Sequence, residues 1–596
     1  MKGGQHTFQL MRVSGSKKRY LVFSIFFSML SALSQMVPYA TTYLLLAELM
    51  NTMTGSVTLE YSYIWSLVWI SLGALVLSGI SLFVGSMFAH VAAYDIIYHL
   101  RLKLTQKLSE LPLGYHQVHS KGTLKGTVMT DTERLEGFIA HYLPDTVTAI
   151  LFSTGVLTYL FILDWRLALF LLIPIGVAMF FQWFAFRNEK GKEIIDQFFN
   201  SIAQMNGTIV EYVQGLPVLK VFNQTVYSFQ RFSRDVQAFH DYGKAYSIYS
   251  IPSFALLLVA LPSAFVFIIP VGAILLANTD DYSYYVTIVF LFLLLSNGLF
   301  LPIYKLMYVG SRSRQIHKAL AGITKILNEE VLPEGSHTKK PNSFDIQFDT
   351  VGFSYENKVA LKDVSFYAKQ GTVTALVGPS GAGKSTVAHL IARFWDVSSG
   401  SIKIGGMDVR DLKTEALYEC LSIVFQDNYM YSDTIRNNIR LGNAQASDQD
   451  IERAAEAAQC HTFIQKLSDG YDTKVGSDGV HLSGGECQRI AIARLLLKDS
   501  PIVILDEATA YADAENELYI QQALNILLQH KTVLIIAHRL PTIQQADQII
   551  VLDQGEIEEK GTHTQLIAQE GLYATLWRLN EEGHKWTLKT GKGKAL

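Results

Sequence analysis

Gly378-Pro379-Ser380-Gly381-Ala382-Gly383-Lys384-Ser385-Thr386 follows a short apolar run, Thr372-Val-Thr-Ala-Leu-Val377, and precedes a helical pattern carrying Val387, Leu390 and Ile391. Strand, glycine loop and helix in that order form the context a phosphate-binding loop requires. The glycines let backbone N–H groups converge on phosphate oxygens, and the helix start adds a favourable dipole. In that setting Lys384 is expected to reach the β- and γ-phosphates of a nucleoside triphosphate and Ser385 to ligand Mg²⁺.

Further along the chain, Ile502-Val-Ile-Leu505 is a second buried strand, ending in Asp506-Glu507. A strand that delivers a carboxylate to its C-terminal edge suits Mg²⁺ coordination by Asp506. Side chains alternate along a strand, so Glu507 points differently and is placed to polarise an attacking water as general base. Between the two strands, Leu482-Ser483-Gly484-Gly485-Glu486-Cys-Gln-Arg489 opens another helix, a second anion-binding helix start.

This last segment resembles the signature motif of ABC ATPases, and the other parts of that family's site match residue by residue. Tyr355 resembles the aromatic that stacks on adenine. Gln426, in Ile-Val-Phe-Gln-Asp, resembles the glutamine that touches both the metal and the membrane half. Asp513 resembles the D-loop aspartate, and His538, in Ile-Ile-Ala-His-Arg, the switch histidine that senses the γ-phosphate. The resemblance implies that Glu507, His538 and Gln426 serve catalysis. It gives the nucleotide to Tyr355, residues 378–386, Ser483, Gly484, Gly485 and Asp513, and Mg²⁺ to Ser385, Gln426 and Asp506. It also implies two such domains facing head to tail, with ATP between the glycine loop of one and the signature serine and glycines of the other. The expected partner is thus a second half-transporter, identical or related.

The first half of the chain has a different character. Over 596 residues hydrophobic side chains make up 49% and charged ones only 17%, against about 25% charged in soluble proteins. Six apolar stretches near 21–49, 62–92, 139–163, 166–187, 252–277 and 283–309 are long enough to cross a bilayer. Lys17, Lys18 and Arg19 precede the first. The segments 95–138 and 188–250 carry Arg101, Lys103, Lys107, Lys121, Lys125, Arg134, Lys190, Lys192, Lys220, Arg231, Arg234 and Lys244, while 50–61 and 278–282 hold no Lys or Arg. The positive-inside bias puts both ends of this half in the cytoplasm. The run from Leu21 to Met50 is too long for a signal-peptide core and is expected to stay in the mature chain.

Two cytoplasmic connections continue the helical pattern past the membrane, one through Ile96, Leu100, Leu104 and Leu108, the other over 188–215. They predict a helical scaffold projecting into the cytoplasm, with turns expected at 122–131 and 207–222. Residues 333–341, Pro-Glu-Gly-Ser-His-Thr-Lys-Lys-Pro, read as a linker.

The fold class is therefore an α-helical membrane domain of six transmembrane helices followed by an α/β P-loop ATPase domain. Residues 1–325 form the membrane domain with its helical extensions, 326–343 the linker, 344–583 the ATP-binding domain and 584–596 a basic tail. A net charge of −3 implies no basic surface for nucleic acid. Cys420, Cys460 and Cys487 lie far apart, as free thiols of a cytoplasmic domain do.

Nearly the whole chain resembles an ABC half-transporter of the exporter fold, multi-pass in the plasma (inner) membrane and working on a small-molecule cargo. Most exporters continue the second strand as Asp-Glu-Ala-Thr-Ser-Ala-Leu-Asp. Here the stretch is Asp506-Glu507-Ala-Thr-Ala-Tyr511-Ala-Asp513-Ala-Glu-Asn516-Glu517, similar to siderophore importers that use an exporter fold. Uptake of an iron chelate and efflux of drugs, lipids or peptides both stay open, with an ATP-gated channel as a third reading that Glu507 and His538 disfavour. Polar and aromatic residues in or near the spans are Gln35, Tyr39, Thr42, Gln182, Tyr282, Tyr285 and Asn297. Each reads as a helix–helix contact before it reads as a cargo ligand.

Overall fold

The computed structural model describes residues 18–53, 60–223, 230–260, 262–355, 358–424, 429–476, 479–506, 514–537 and 540–584. The chain divides into two compact units. One comprises Met1–Lys107 with Gly122–Asn328, the other Leu108–Lys121 with Glu329–Leu596.

The first unit is helical. Six candidate membrane spans lie in Lys18–Met53, Tyr61–Glu110, Lys121–Leu163, Trp165–Phe184, Gln230–Ala260 and Tyr282–Met307, with a shorter apolar stretch at Pro262–Ala277. The stretch expected as one span over 252–277 is thus interrupted. Its helix ends at Ala260, a 3₁₀ turn occupies Pro262–Ala264, and a new helix runs Phe265–Ala277. Pro262 cannot donate to the preceding turn, which accounts for the break.

Small residues set the helix contacts. Ser24, Ser28, Ser31, Ala32, Ser34 and Thr41 are the buried residues of Lys18–Met53. Ser31 and Ser78 Oγ atoms lie 3.1 Å apart, and a Cβ on Gly85 would sit 3.2 Å from Phe27 Cβ. Such small side chains let membrane helices approach closely. The core gathers Leu160, Leu167, Leu171, Ile288, Leu291, Phe292 and Leu295, all 1% exposed or less. Between the third and fourth spans Asp164 caps the helix Trp165–Arg187. It accepts from the Arg166 and Leu167 N–H groups at 2.8 and 3.2 Å and pairs with the Arg166 guanidinium, which also donates to Tyr285 Oη at 2.7 Å.

Tyr61–Glu110 is one helix of 50 residues, about 75 Å long at 1.5 Å per residue and more than twice the hydrocarbon thickness. Ile96, Leu100 and Leu104 are buried along its extension. The helical extensions expected from the sequence are present, but their turns lie elsewhere. Residues 122–131 are helical, passing from Lys121–Gly126 into a π-helical turn at Thr127–Asp131. The reversal of the first extension sits earlier, around the short helix Leu113–Val118 that begins after Pro112. Likewise 207–221 belong to the continuous helix Glu189–Val221, even with Pro217 inside it.

The second unit is α/β. Its strands are β1 (Ile346–Tyr355), β2 (Lys358–Ala368), β3 (Val373–Val377), β4 (Ser399–Ile404), β5 (Met407–Asp408), β6 (Leu421–Val424), β7 (Asp433–Thr434), β8 (Lys474–Val475), β9 (Ile502–Asp506), β10 (Thr532–Ile536), β11 (Gln548–Asp553) and β12 (Glu556–Gly561). The central sheet has the order β12-β11-β3-β10-β9-β6 and is parallel apart from the β11–β12 pair. An antiparallel sheet β2-β1-β4-β5 covers one side. The buried residues of β9 are all apolar, and those of β3 and β10 are apolar apart from Thr374 and Thr532, as in strands covered on both faces.

Residues 333–341 are held to this unit rather than free. The His337 N–H donates to Asp411 O and the Lys413 N–H to His337 O, both at 2.9 Å, while Arg393 donates to Pro333 O at 2.8 Å. Proline and glycine mark the segment as irregular, but its backbone groups find partners.

Candidate nucleotide site

Three strands align the site. Leu376 of β3, Ile536 of β10 and Asp506 of β9 form one row across the parallel sheet. The loop after Val377 and the carboxylate of Asp506 therefore leave the sheet at the same C-terminal edge, where open α/β sheets bind ligands.

The glycine loop is built from left-handed backbone. Gly378, Gly381 and Gly383 have φ of 147°, 85° and 102°. A Cβ at Gly378 would overlap the Leu552 carbonyl, and one at Gly383 would lie 2.7 Å from Leu361 Cδ2 and 2.8 Å from Ala360 O. Gly381 has open space around it, so there the backbone conformation alone selects glycine. Pro379 accepts from the Ala382 N–H at 3.2 Å, and Ser380 is exposed. Lys384 starts the helix Lys384–Ile391. It is 5% exposed, and its Nζ donates to the carbonyls of Gly378 and Pro379 at 2.9 and 2.8 Å. A buried ammonium over neutral carbonyls in a ring of glycines makes a cationic cradle that suits a phosphate chain. Ser385 is half-buried beside it and Thr386 buried.

Tyr355 ends β1 on the same side. Its hydroxyl is 3.4 Å from Thr386 Oγ1, and its ring meets Phe353 and Trp395 edge-on at 4.8 and 4.9 Å between centroids. Burial pushes its phenol up, and the contact with Thr386 pulls it part of the way back. Asp506 is half-buried at the end of β9.

The signature segment is a capped helix start. Ser483 is the N-cap of Gly484–Lys498, and Glu486 closes a reciprocal capping box. Ser483 and Gly484 are exposed and Gly485 is buried. The sequence carries this signal as Ser-x-x-Glu ahead of an apolar run. Gln426, Glu507, Asp513 and His538 lie outside the described residues.

Two further contacts went unread in the sequence. Trp395 packs against Tyr355, and Lys305 pairs with Asp145 at 2.8 Å. Nothing in a lone tryptophan after a helix, or in a lysine and an aspartate 160 residues apart, marks either contact. Of the polar span residues, Tyr39 packs against Phe152 and lies where a Cβ on Gly298 would sit 2.9 Å from its hydroxyl. Thr42 bonds back to Pro38 O at 2.7 Å and Tyr285 accepts from Arg166. Gln182 Oε1 is buried with no partner among the described residues, and Tyr282 and Asn297 are exposed.

Comparison with known proteins agrees with this architecture. Residues 361–510 match the family described as ABC transporter, and residues 21–303 the family described as ABC transporter transmembrane region. The mycobactin import ATP-binding/permease protein of Mycobacterium tuberculosis is 37% identical over 95% of this chain, which spans 65% of that protein's length. The ATP-dependent lipid A-core flippase of Legionella pneumophila is 32% identical over 88% of this chain and 89% of its own. Among solved structures, a bacterial Atm1-family ABC exporter with ATP bound superposes with a TM-score of 0.74 at 25% identity, covering 95% of this chain and 98% of that one. With a six-span helical region and an ATP-binding domain on one polypeptide, the chain belongs to the ABC transporters, as a half-transporter of the exporter fold.

Proposed function

We propose that two such halves, this chain with a copy of itself or a related subunit, form an ATP-driven pump that carries an iron–siderophore complex across the plasma (inner) membrane into the cell. The observation that carries the nucleotide chemistry is the buried Lys384 ammonium inside the positive-φ glycine loop, on the same sheet edge as Asp506. In this reading the loop N–H groups and Lys384 hold the phosphates of ATP, and Tyr355 stacks on the adenine. Ser483, Gly484, Gly485 and Asp513 meet the nucleotide held by the facing half. Ser385, Gln426 and Asp506 fit the oxygen-donor set of Mg²⁺, which would neutralise charge on the transferring phosphoryl group. Glu507 takes a proton from the attacking water and His538 senses the γ-phosphate. Most of the acceleration then comes from positioning and charge stabilisation.

ATP bound between two ATPase domains holds them together, and its cleavage releases them. The helical extensions, Tyr61–Glu110 above all, carry that change into the membrane unit. Domain limits near 325 and 343, and a cytoplasmic location of both termini, accompany this reading.

Uptake of an iron chelate is supported by the likeness to a mycobactin importer and by the 506–517 stretch. Efflux of a drug, lipid or peptide is the second reading, favoured by the lipid A-core flippase and the exporter structure. Reconstitution in liposomes decides between them. Uptake predicts ATP-dependent movement of a labelled ferric siderophore toward the ATPase side, with no dye or lipid moved the other way. The reverse pattern assigns efflux.

A further inference from the structure

In the helical unit, two imidazoles and a carboxylate meet where the second and third spans pack together. His90 belongs to the helix Tyr61–Glu110, Glu136 to the short helix Thr132–Gly137, and His141 to the π-helical turn Phe138–Tyr142 that follows it. The His90 and His141 rings meet edge-on with centroids 4.8 Å apart, and His90 Nδ1 is 3.8 Å from Glu136 Oε1. Tyr94, one turn along, stacks on His90 at 6.3 Å. Ala93, Ile96, Ile139 and Ala140, all 4% exposed or less, pack the two helices against each other beside these groups and fix their spacing. The π-helical turn is what brings both groups of the third span to His90. Residues five apart on a regular α-helix point about 140° apart around its axis. A π-turn absorbs one extra residue, so His141 comes round to within about 40° of Glu136, where an i+4 neighbour would be. Such turns recur at functional sites.

We propose that His90 and His141 form a binding site for a divalent first-row transition cation of the nitrogen-preferring kind represented by Zn²⁺ and Ni²⁺, with Glu136 as the outer-sphere partner of His90. Two imidazoles bound to one ion at about 2.1 Å, with an angle of about 90–110° at the metal, have ring centroids about 4.5–5.2 Å apart. The observed 4.8 Å falls inside that interval. A ligating histidine characteristically turns its second nitrogen toward a carboxylate, which fixes the ring and raises its basicity. Glu136 stands at His90 Nδ1 in that role, which leaves Nε2 to the ion. His141 is exposed and the His90 side chain is 34% exposed, so water completes the coordination from the open side. An ion held by one imidazole from each span ties the two helices together at this level. Its binding therefore favours conformations in which the second and third spans stay close here.

Zn²⁺ binding to the full chain in nanodiscs, free of any histidine tag and without nucleotide, tests the site. One tight Zn²⁺ per chain is expected. Its affinity should fall roughly tenfold or more in both His90→Gln and His141→Gln, and about tenfold in Glu136→Gln, the usual cost of removing an outer-sphere carboxylate. Zn²⁺ should also raise the melting temperature of the parent and leave that of the two histidine variants unmoved. No binding by the parent overturns the proposal. Binding that survives in both histidine variants overturns it as well, since the rings then serve packing alone and the ion sits elsewhere. Loss in only one of the two does the same, because a single imidazole then holds the ion. Unchanged affinity in Glu136→Gln overturns the role given to that carboxylate. Should His90→Gln melt well below the parent in EDTA, the exposed His141 carries the test. His141→Ala must then lose the ion and His141→Cys, which restores a ligand at the same position, must keep it; equal binding by both overturns the site.

Discussion

Glu486 holds Ser483 in place: its Oε2 accepts from both the backbone N–H and the hydroxyl of Ser483, each at 2.8 Å, while the Glu486 N–H donates back to Ser483 Oγ at 3.3 Å. Glu486 is thus the second half of a capping box, a role glutamine also fills. Glu486→Gln should leave stability and ATP KM close to the parent. Glu486→Ala should lower stability by about 1 kcal/mol and raise ATP KM, because Ser483 loses its fixed orientation. Thermal melts and ATPase titrations of both variants check this, and equal effects from Gln and Ala would contradict it.

The glycine loop makes a ranked prediction. Gly381→Ala meets open space and carries only the strain of a left-handed alanine, on the order of 1 kcal/mol. Gly383→Ala carries that strain and also pushes a methyl group into Leu361 and the Ala360 carbonyl. ATP affinity should fall further in Gly383→Ala than in Gly381→Ala. Lys384→Ala should lose roughly tenfold or more, the loss of a charge-assisted contact. Nucleotide titration of the three variants gives the order directly.

Lys305 and Asp145 lie near the cytoplasmic ends expected for the sixth and third spans and pair at 2.8 Å, each about two-fifths exposed. A pair that open contributes modestly, about 0.5–1 kcal/mol. Either Lys305→Ala or Asp145→Ala should lower the melting temperature in detergent. The swap Lys305→Asp with Asp145→Lys should recover part of the loss. A swap no better than the single variants would show the pair to be incidental.

Cys460 gives a pH prediction. It is fully buried against Ala455 O, and burial pushes its thiol up to about 12. The unfolded thiol ionises near 8.5, so above that pH the unfolded chain sheds a proton that the folded chain retains. The stabilising difference is complete below about pH 8.5 and fades as pH rises toward the folded value. Melting temperature should therefore fall from pH 8 to 10, and less steeply in Cys460→Ala. The same burial predicts that maleimide at pH 7 leaves Cys460 unlabelled until the protein is denatured.

What was legible in the sequence was local. Glycines at fixed spacing between a strand and a helix specify the phosphate loop because the backbone geometry needs them there. The spans and their long extensions follow from apolar runs and periodicity. Long-range contacts left no such trace. Trp395 against Tyr355, Lys305 against Asp145 and residues 333–341 against Asp411 are set by packing between segments, and single-residue chemistry does not encode them. The reversal of the first extension was misplaced for a related reason. Gly122 and Gly126 look like turn residues, yet the surrounding helix absorbs them, while the short element that reverses the chain is announced only by Pro112.

The general base is the sharpest test of the transport reading. Asp506 is the last residue of β9 and Glu507 follows it in sequence, and the proposed cycle gives the metal to Asp506 and the attacking water to Glu507. An amide in place of Glu507 keeps the size and the hydrogen-bonding reach but cannot take a proton. Glu507→Gln should therefore bind ATP as tightly as the parent while hydrolysis falls roughly 10²–10⁴-fold. If ATP cleavage is what reopens the clamped halves, the variant should retain unhydrolysed ATP through desalting in the presence of Mg²⁺. It should move no cargo beyond a first turnover in liposomes, and chelating Mg²⁺ should stop hydrolysis by the parent as well. Sustained cargo movement by Glu507→Gln at the parental rate would separate transport from hydrolysis and remove the proposed cycle, while loss of ATP binding in that variant would show Glu507 to be a ligand rather than a base.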